Sequence, residues 1–421
     1  MPRPELLPAV AGLRLVDHHC HGVVPEDLPR PAFEALLTEA GGSSPLGGSL
    51  FDTQVGFAVR RWCAPLLDLP RHAEPEEYLA RRAELGHAEV TRRLLAAAGL
   101  GGLCVDTGYT PRPLLSPAGL ARAAGAPAYE IVRLERLAEE VAESGVCAGD
   151  FAGRVRERLA ELSYAGNGHG RRVGTRHPES GHEGRAGMQH VRSGHPAGLA
   201  RTGDGRVVGA KSVAAYRAGL ALAPERPGHR DLTAAVDRWF SGMRPGVPAR
   251  LAQEVLHRFL VYAALDLGLP VQFHVGYGDA DVHLSRANPV LLTDLLRATA
   301  PAGVPIILLH NYPYHREAGY LAQVFPHVFA DVSLATHNLG RRAGALLAEV
   351  LELAPFGKLL YASDAFGLPE LYHLGAVLFR HALSGLLRAG LEEDSWTERD
   401  AARIAGMVGS GNARRVYRLP A

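Results

Sequence analysis

Residues 14–22 read Arg-Leu-Val-Asp-His-His-Cys-His-Gly. The apolar run 13–16 predicts a short strand, and it leads directly into residues that bind protons and metals. Side chains alternate along an extended chain, so His19 and His21 project to one side while Cys20 projects to the other. Two imidazoles converging in this way are able to hold one cation. Asp17 and His18 stand just upstream, placed to orient those rings by hydrogen bonding. A His-x-His pair at a strand end is weak evidence alone, because such histidines also serve as satisfied polar groups. Its weight depends on how the other strands end.

Outward from this point the same arrangement recurs. Apolar runs follow at 102–106 (GLCVD), 129–134 (YEIVRL), 206–211 (RVVGAK), 270–274 (PVQFH), 305–310 (PIILLH), 328–332 (VFADV) and 358–364 (KLLYASD). Between them lie amphipathic stretches of helical period at 74–99, 134–145, 248–268, 288–300, 341–354 and 397–417. Strands alternating with helices predict a parallel sheet, and eight such units predict a TIM-type (β/α)8 barrel of the α/β class. An open doubly wound sheet also fits the alternation, but it binds at one crevice, whereas here the first, fourth, fifth, sixth and eighth runs all end on His, Lys or Asp. In a barrel those C-terminal strand ends form the floor of the active site.

The 421 residues are long for one domain, yet α/β barrels absorb loop insertions, so residues 1–421 are read as one decorated barrel. Hydrophobic residues at 47% and charged residues at 21% supply a sizeable core and exclude a wholly disordered chain. Forty-five Lys and Arg against 44 Asp and Glu leave a formal charge of +1, so no overall field draws the chain to nucleic acid or an anionic membrane. A small-molecule partner is expected, and assembly into a homo-oligomer stays open. The start of the chain lacks the pattern of a signal peptide, and no apolar run is long enough to span a bilayer. Four scattered cysteines with no C-x-x-C pair suit a reducing cytoplasm.

Two stretches depart from the crossover rhythm. Residues 22–71 carry GGSSPLGG and then FDTQVGFAVRRWCAP, apolar enough to fold over the barrel mouth as a lid. Residues 166–205 are rich in Gly, Arg and His with few bulky apolar side chains, which predicts a flexible insertion before the fourth strand. Its histidines 169, 177, 182, 190 and 195 are expected to be solvated rather than metal-bound.

The remaining strand ends strengthen the metal reading. His274 and His310 close very apolar runs, and Asp364 is a carboxylate at the end of another, where a charge has to be paired or bound to a cation. Imidazole and carboxylate ligands suit Zn, with Mn, Fe or Co also compatible, as one or two ions. Such a cation supplies hydroxide at neutral pH and polarises a carbonyl, while a carboxylate at the eighth strand accepts the water proton and returns it to the leaving group. Lys211 has two readings: a carbamate formed with CO₂ that bridges two metals, or an ammonium that contacts a substrate anion. Arg133, Glu135, Arg217, Asp279 and Asp281 stand near strand ends as weaker candidates for substrate binding, with structural ion pairs as the alternative.

The stretches VDHHCHG, FDTQVGFAVRRWCAP, VVGAKSVAAYRAGL, QFHVGYGDADVHLSRANPVLL, LLHNYPYHREAGYLAQVFPHVFADVSLA, KLLYASDAFGLPELYHLGA and GNARRVYRL together resemble the amidohydrolase superfamily and, within it, the amidohydrolase-2 group. They are similar to amidohydrolase-like domains that occur alone in actinobacteria or fused ahead of a glutamine-synthetase-like domain. The resemblance implies His19 and His21 as first-strand metal ligands, Lys211 at the fourth-strand position, His274 and His310 on the fifth and sixth, and Asp364 as the eighth-strand acid and ligand. It also implies a metal-dependent hydrolase acting on an amide or other C–N bond, with Asp364 and His310 catalytic. A γ-glutamyl or related nitrogen compound is the suggested substrate. A metal-dependent decarboxylase of a small carboxylic acid is the alternative, because the group includes such lyases. The filled ligand set argues against a non-catalytic barrel.

Overall fold

The computed structural model describes residues 5–42, 44–165 and 205–420. The insertion expected at 166–205, with its five histidines, lies outside these residues except for Gly205. Among the described residues seven strands lie side by side in sequence order: β1 (Leu15–Cys20), β2 (Leu100–Asp106), β3 (Ala128–Arg133), β4 (Val207–Ser212), β5 (Val271–Val275), β6 (Ile306–His310) and β7 (Val328–Ala330). All six pairings are parallel. Helices supply the crossovers, as parallel strands require.

Residues 359–364 take the eighth place, but not as the regular strand expected at 358–364. Leu360 N donates to Ala330 O of β7 (3.0 Å), and on the other side His18 N donates to Tyr361 O (3.1 Å) and Asp364 N to His19 O (3.0 Å). The sheet therefore curls until its two ends meet, in a TIM-barrel-like ring. The ladder is irregular because a side chain takes over part of it. The carboxylate of Asp17 accepts from Ser363 N (2.9 Å) and from Ser363 Oγ (2.6 Å). β7 likewise ends two residues short of the expected 328–332, since Asp331 turns its carboxylate inward to accept from His310 N (2.6 Å).

Inside the ring Val16, Ile131, Val208, Ile307, Leu309 and Leu360 pack together with Val416 and Tyr417 of the terminal helix Asn412–Tyr417. Gln272 Nε2 of β5 donates to Tyr417 Oη (2.8 Å) and to the carbonyl of His18 (2.9 Å), so its amide nitrogen is satisfied where the barrel is plugged. Two larger apolar clusters fill the space between the sheet and its helices. The helix expected at 74–99 is split into Pro75–Leu85 and His87–Ala98 by Gly86 at φ +76°, a conformation that favours glycine. No helix among the described residues is long and apolar enough to cross a membrane.

Residues 22–42 and 44–71 form short helical turns packed on the first of these clusters. Phe33 stacks on Phe51 at 5.7 Å, and Val55, Val59, Cys63 and Leu67 are buried beneath. The loop at 35–41 is thereby held over the mouth of the ring.

The helix Pro369–Glu392 follows the closing segment and carries its position. In its first turn Glu370 is fully buried and accepts from Arg82 Nε (2.8 Å) and Tyr78 Oη (3.0 Å). Removing the cation leaves a buried carboxylate without compensation, so Arg82→Ala is expected to lose about 3–5 kcal/mol in urea unfolding. A loss under about 1 kcal/mol, the scale of an exposed pair, would show that this clamp does not hold the helix.

Candidate metal centre

His19 lies in β1, His21 just beyond it, Lys211 in β4, His274 in β5, His310 at the end of β6 and Asp364 at the end of the closing segment. These are C-terminal strand ends, so the side chains gather at one mouth of the ring. β1 reaches this arrangement through an irregularity in its register between Asp17 and Cys20. Leu15 and Cys20 both pack outward, although strict alternation would turn them to opposite faces. The extra residue lets His18 and His19 both face inward. His18 Nε2 stands 2.9 Å from Asp331 Oδ2, and His19 Nε2 stands 2.8 Å from Lys211 Nζ.

The protons of the histidines follow from their neighbours. His21 Nδ1 lies 3.2 Å from the carbonyl oxygen of Asp106, which only accepts, so this nitrogen carries the hydrogen and Nε2 keeps its lone pair. Yet His21 Nε2 faces another acceptor, Asp364 Oδ1, at 3.5 Å. His310 follows the same logic. Ser333 Oγ donates to Asp331 Oδ1 (2.8 Å) and so accepts from His310 Nδ1 (2.8 Å), which leaves a lone pair on His310 Nε2. That atom is buried without a hydrogen-bond partner, as are His274 Nε2 and Asp364 Oδ1.

Ligand atoms of His19, His21 and Asp364 all lie within 4.8 Å of one another, a group that could hold a metal ion. Burial and the Lys211 ammonium hold His19 down to about 4, so its ring is neutral at physiological pH. Burial likewise holds His274 and His310 well below the ordinary histidine value. Burial opposes the charge of Asp364, but its histidine neighbours, His310 first through the hydrogen on Nδ1, 3.4 Å away, hold the carboxyl well below its ordinary value. Neutral imidazoles around a carboxylate, with buried lone pairs left over, fit a divalent transition metal.

Two of these residues are held in strained backbone. His310 has φ +68° and Asp364 φ +52°, left-handed conformations that non-glycine residues rarely adopt. The bonds from His310 N to Asp331 and from Asp364 N to His19 O hold them there. Gly278 after β5 is needed for a different reason: a Cβ there would strike the Tyr216 hydroxyl and come within 3.1 Å of His274 Nε2.

Lys211 is buried, which lowers its pKa against the opposing pull of Asp106 and Asp364. Its Nζ lies 3.7 Å from Asp106 Oδ2, and Asp106 also accepts from Arg133 Nη2 (2.6 Å) and Nε (3.1 Å). Burial disfavours ionised Asp106, but Arg133, His21 and Lys211 hold it far below the usual carboxylate range. Asp106 was missed as a site residue although it ends the run GLCVD. The signal was available: it is one more charged residue at a strand end.

Above the cluster opens a cavity of about 540 Å³. His21, Lys211, His274 and Asp364 form its floor, and residues 35–41 and Val55 of the covering segment line its roof. Arg133, Arg217, Asp279 and Asp281 line it too. Arg217 is also committed to Glu139 (2.9 Å) and Asp281 to Arg250 (3.1 Å). Glu135 is a correction. The chain turns into the helix Leu134–Glu143 right after Arg133, so the strand alternation ends and Glu135 points away from the cavity. It is fully buried, accepting from Ser212 Oγ (2.7 Å) and Val213 N (3.0 Å), with His257 Nδ1 at 2.9 Å. Glu39, Tyr109, Tyr216 and His337 line the cavity without having been singled out from the sequence, because each lies in a loop or a very short helix whose placement no local pattern encodes.

A family model described as amidohydrolase, of the amidohydrolase-2 type, matches residues 204–419. Protein fluG of Emericella nidulans is 35% identical over 229 residues, which make up 51% of this chain but only 26% of that protein. The fold is similar to a crystal structure of a provisionally named metal-dependent hydrolase from Lactobacillus casei, with 28% identity, a TM-score of 0.75 and coverage of 96% of this chain and 95% of the other. It also resembles glucuronate isomerase from Caulobacter crescentus at 14% identity and a TM-score of 0.60, covering 98% and 93%. At that identity the likeness concerns the fold alone.

Purified protein is expected to carry roughly one to two equivalents of a divalent transition metal, and His21→Ala to retain less than about a tenth of it after dialysis. Elemental analysis of both proteins reads this directly. Full occupancy in the His21→Ala protein would remove the cluster as the metal centre.

Proposed function

The chain belongs to the amidohydrolase-2 family, and on that premise we propose that it is a metal-dependent hydrolase that cleaves an amide or other C–N bond of a small polar substrate. The observation that carries this reading is the confrontation of His21 Nε2 and Asp364 Oδ1 at 3.5 Å, two acceptors with no proton to share between them. A cation between them satisfies both. His19, His21 and Asp364 would hold it, and the free lone pairs of His274 and His310 are available beside them. Such an ion acidifies water and polarises a carbonyl.

The remaining work falls to the side chains. Asp364 accepts the proton of the attacking water and passes it to the departing nitrogen, since its second oxygen, 3.4 Å from His310 Nδ1, stays beside the reacting centre. His310 orients that carboxylate and is itself oriented by Ser333 and Asp331. Lys211 acts as an unmodified amine. The charge of Asp106 beside it would repel a carbamate, whereas an ammonium there is paired. The segment 22–71 serves as a lid whose loop 35–41 limits the entry of water.

The test is Asp364→Asn, which keeps the shape and one oxygen for the metal but cannot take up the proton. Turnover of a scissile amide is expected to fall by about two to four orders of magnitude, with fold and most of the metal retained. Activity within a few-fold of the parent would remove Asp364 from proton transfer. Release of CO₂ in place of an amine or ammonia from the substrates turned over would replace the hydrolase by a decarboxylase.

A further inference from the structure

The charges lining the cavity are not balanced evenly. Its four cations are all engaged: Arg133 and Lys211 with Asp106, Arg217 with Glu139, and Arg250 with Asp281. Among the acids, Asp364 stands within the histidine cluster and Asp281 is paired with Arg250. Glu39, from the covering loop, and Asp279, from the loop after β5, also line the cavity, and among the described residues neither has a cationic partner. An incoming carboxylate would have to displace an existing partner from one of the cations. An incoming ammonium would meet two acids that have none.

Three further features sit with these acids. Both carboxylates and the rings of Tyr109 and Tyr216 line this cavity, with the guanidinium of Arg133, paired to Asp106, 5.1 Å from the centre of the Tyr109 ring. Aromatic rings beside carboxylates are the usual surroundings of an alkylammonium, whose charge is attracted to ring faces and whose carbon chain packs on them. The Tyr216 ring lies 4.4 Å from that of His274, beside the metal centre. Burial, and after it Asp364 and Asp279, push Glu39 up to about 7, with Lys211 opposing the shift. Finally, His337, 2% exposed, lines the same cavity with its Nδ1 unpartnered.

We propose that Glu39 and Asp279, walled by Tyr109 and Tyr216, bind a protonated amine of the substrate. The substrate class is then an amide whose leaving or acyl portion carries an alkylammonium a few bonds from the scissile nitrogen. This deepens the hydrolase reading and rests on it for what is cleaved, but not for what is bound. The covering loop takes part because Glu39 belongs to it, so the amine would draw 35–41 onto the mouth as it binds.

The probes are 1,4-diaminobutane, the uncharged 1,4-butanediol and the dianion succinate, titrated by calorimetry into metal-loaded protein, with metal content measured on the same samples. The diamine is expected to bind at least about tenfold more tightly than the diol or succinate, and to lose at least about tenfold in both Asp279→Asn and Glu39→Gln. Asp279 lies in an exposed loop, so its variant keeps the fold even where the Glu39 variant disturbs the cover. Equal binding of diamine and diol, or tighter binding of succinate, overturns the amine site and leaves the hydrolase reading standing if the metal is present. A diamine preference in protein that takes up no metal upholds the amine site and removes the hydrolase. A diamine preference that survives both substitutions overturns the assignment to these two acids.

Discussion

Asp364 sets the terms for everything around it. Its carboxylate stands against His19 at 3.0 Å, His21 at 3.5 Å and His310 at 3.4 Å, and the hydrogen of the His21 ring is committed to the carbonyl of Asp106, which turns a lone pair toward the carboxylate. Lone pairs facing a carboxylate repel unless a proton or a cation lies between them. Placing such a group at the centre of a buried cluster costs stability, and the cost is met by the surrounding framework rather than by local preference. This is the expected pattern at a functional site, where local rules are broken and neighbouring structure enforces the exception.

That framework can be followed outward residue by residue. Asp331 accepts from the backbone of His310, from Ser333 N and from Ser333 Oγ, and lies against His18, so one carboxylate orients both the sixth-strand histidine and the first strand. Asp17 does the same for the closing segment through Ser363. The strain at His310 and Asp364 is thus clamped from both sides. Ring closure and site geometry are one problem, because the segment that closes the barrel is the segment that delivers Asp364.

The cavity adds a division of labour. Its floor holds unprotonated imidazoles suited to a cation, its cationic wall is already neutralised, and its outer end presents acids without partners. Glu39 belongs to the covering loop while the floor rests on strand ends, so the proposed selection of substrate and the proposed chemistry fall to different elements of the barrel. The likeness to solved structures reaches proteins with isomerase names at low identity, which agrees with a fold that supports several chemistries through its loops.

The run of strands ending in His19, His21, Lys211, His274, His310 and Asp364 was legible in the sequence, because strand periodicity is local and a polar residue after an apolar run stands out. Barrel class followed from the count of βα units, and the candidate ligands from their shared position at strand ends. Other features depended on contacts between residues far apart in the chain. Nothing local distinguishes Arg133, which reaches the cavity, from Glu135, which turns away one residue into a helix. The register irregularity in β1 that turns both His18 and His19 inward is set by pairing with β2 and by Asp331, 313 positions further on in the case of His18. Glu39 and Asp279 lie 240 positions apart and gain their meaning only when two loops meet over the ring. The sequence determined which side chains are available at each strand end, because alternation and hydrophobicity act over a few residues. The tertiary structure alone decided which of them face one another, which protons they keep and which charges are left without partners, because those depend on distances that no local pattern contains.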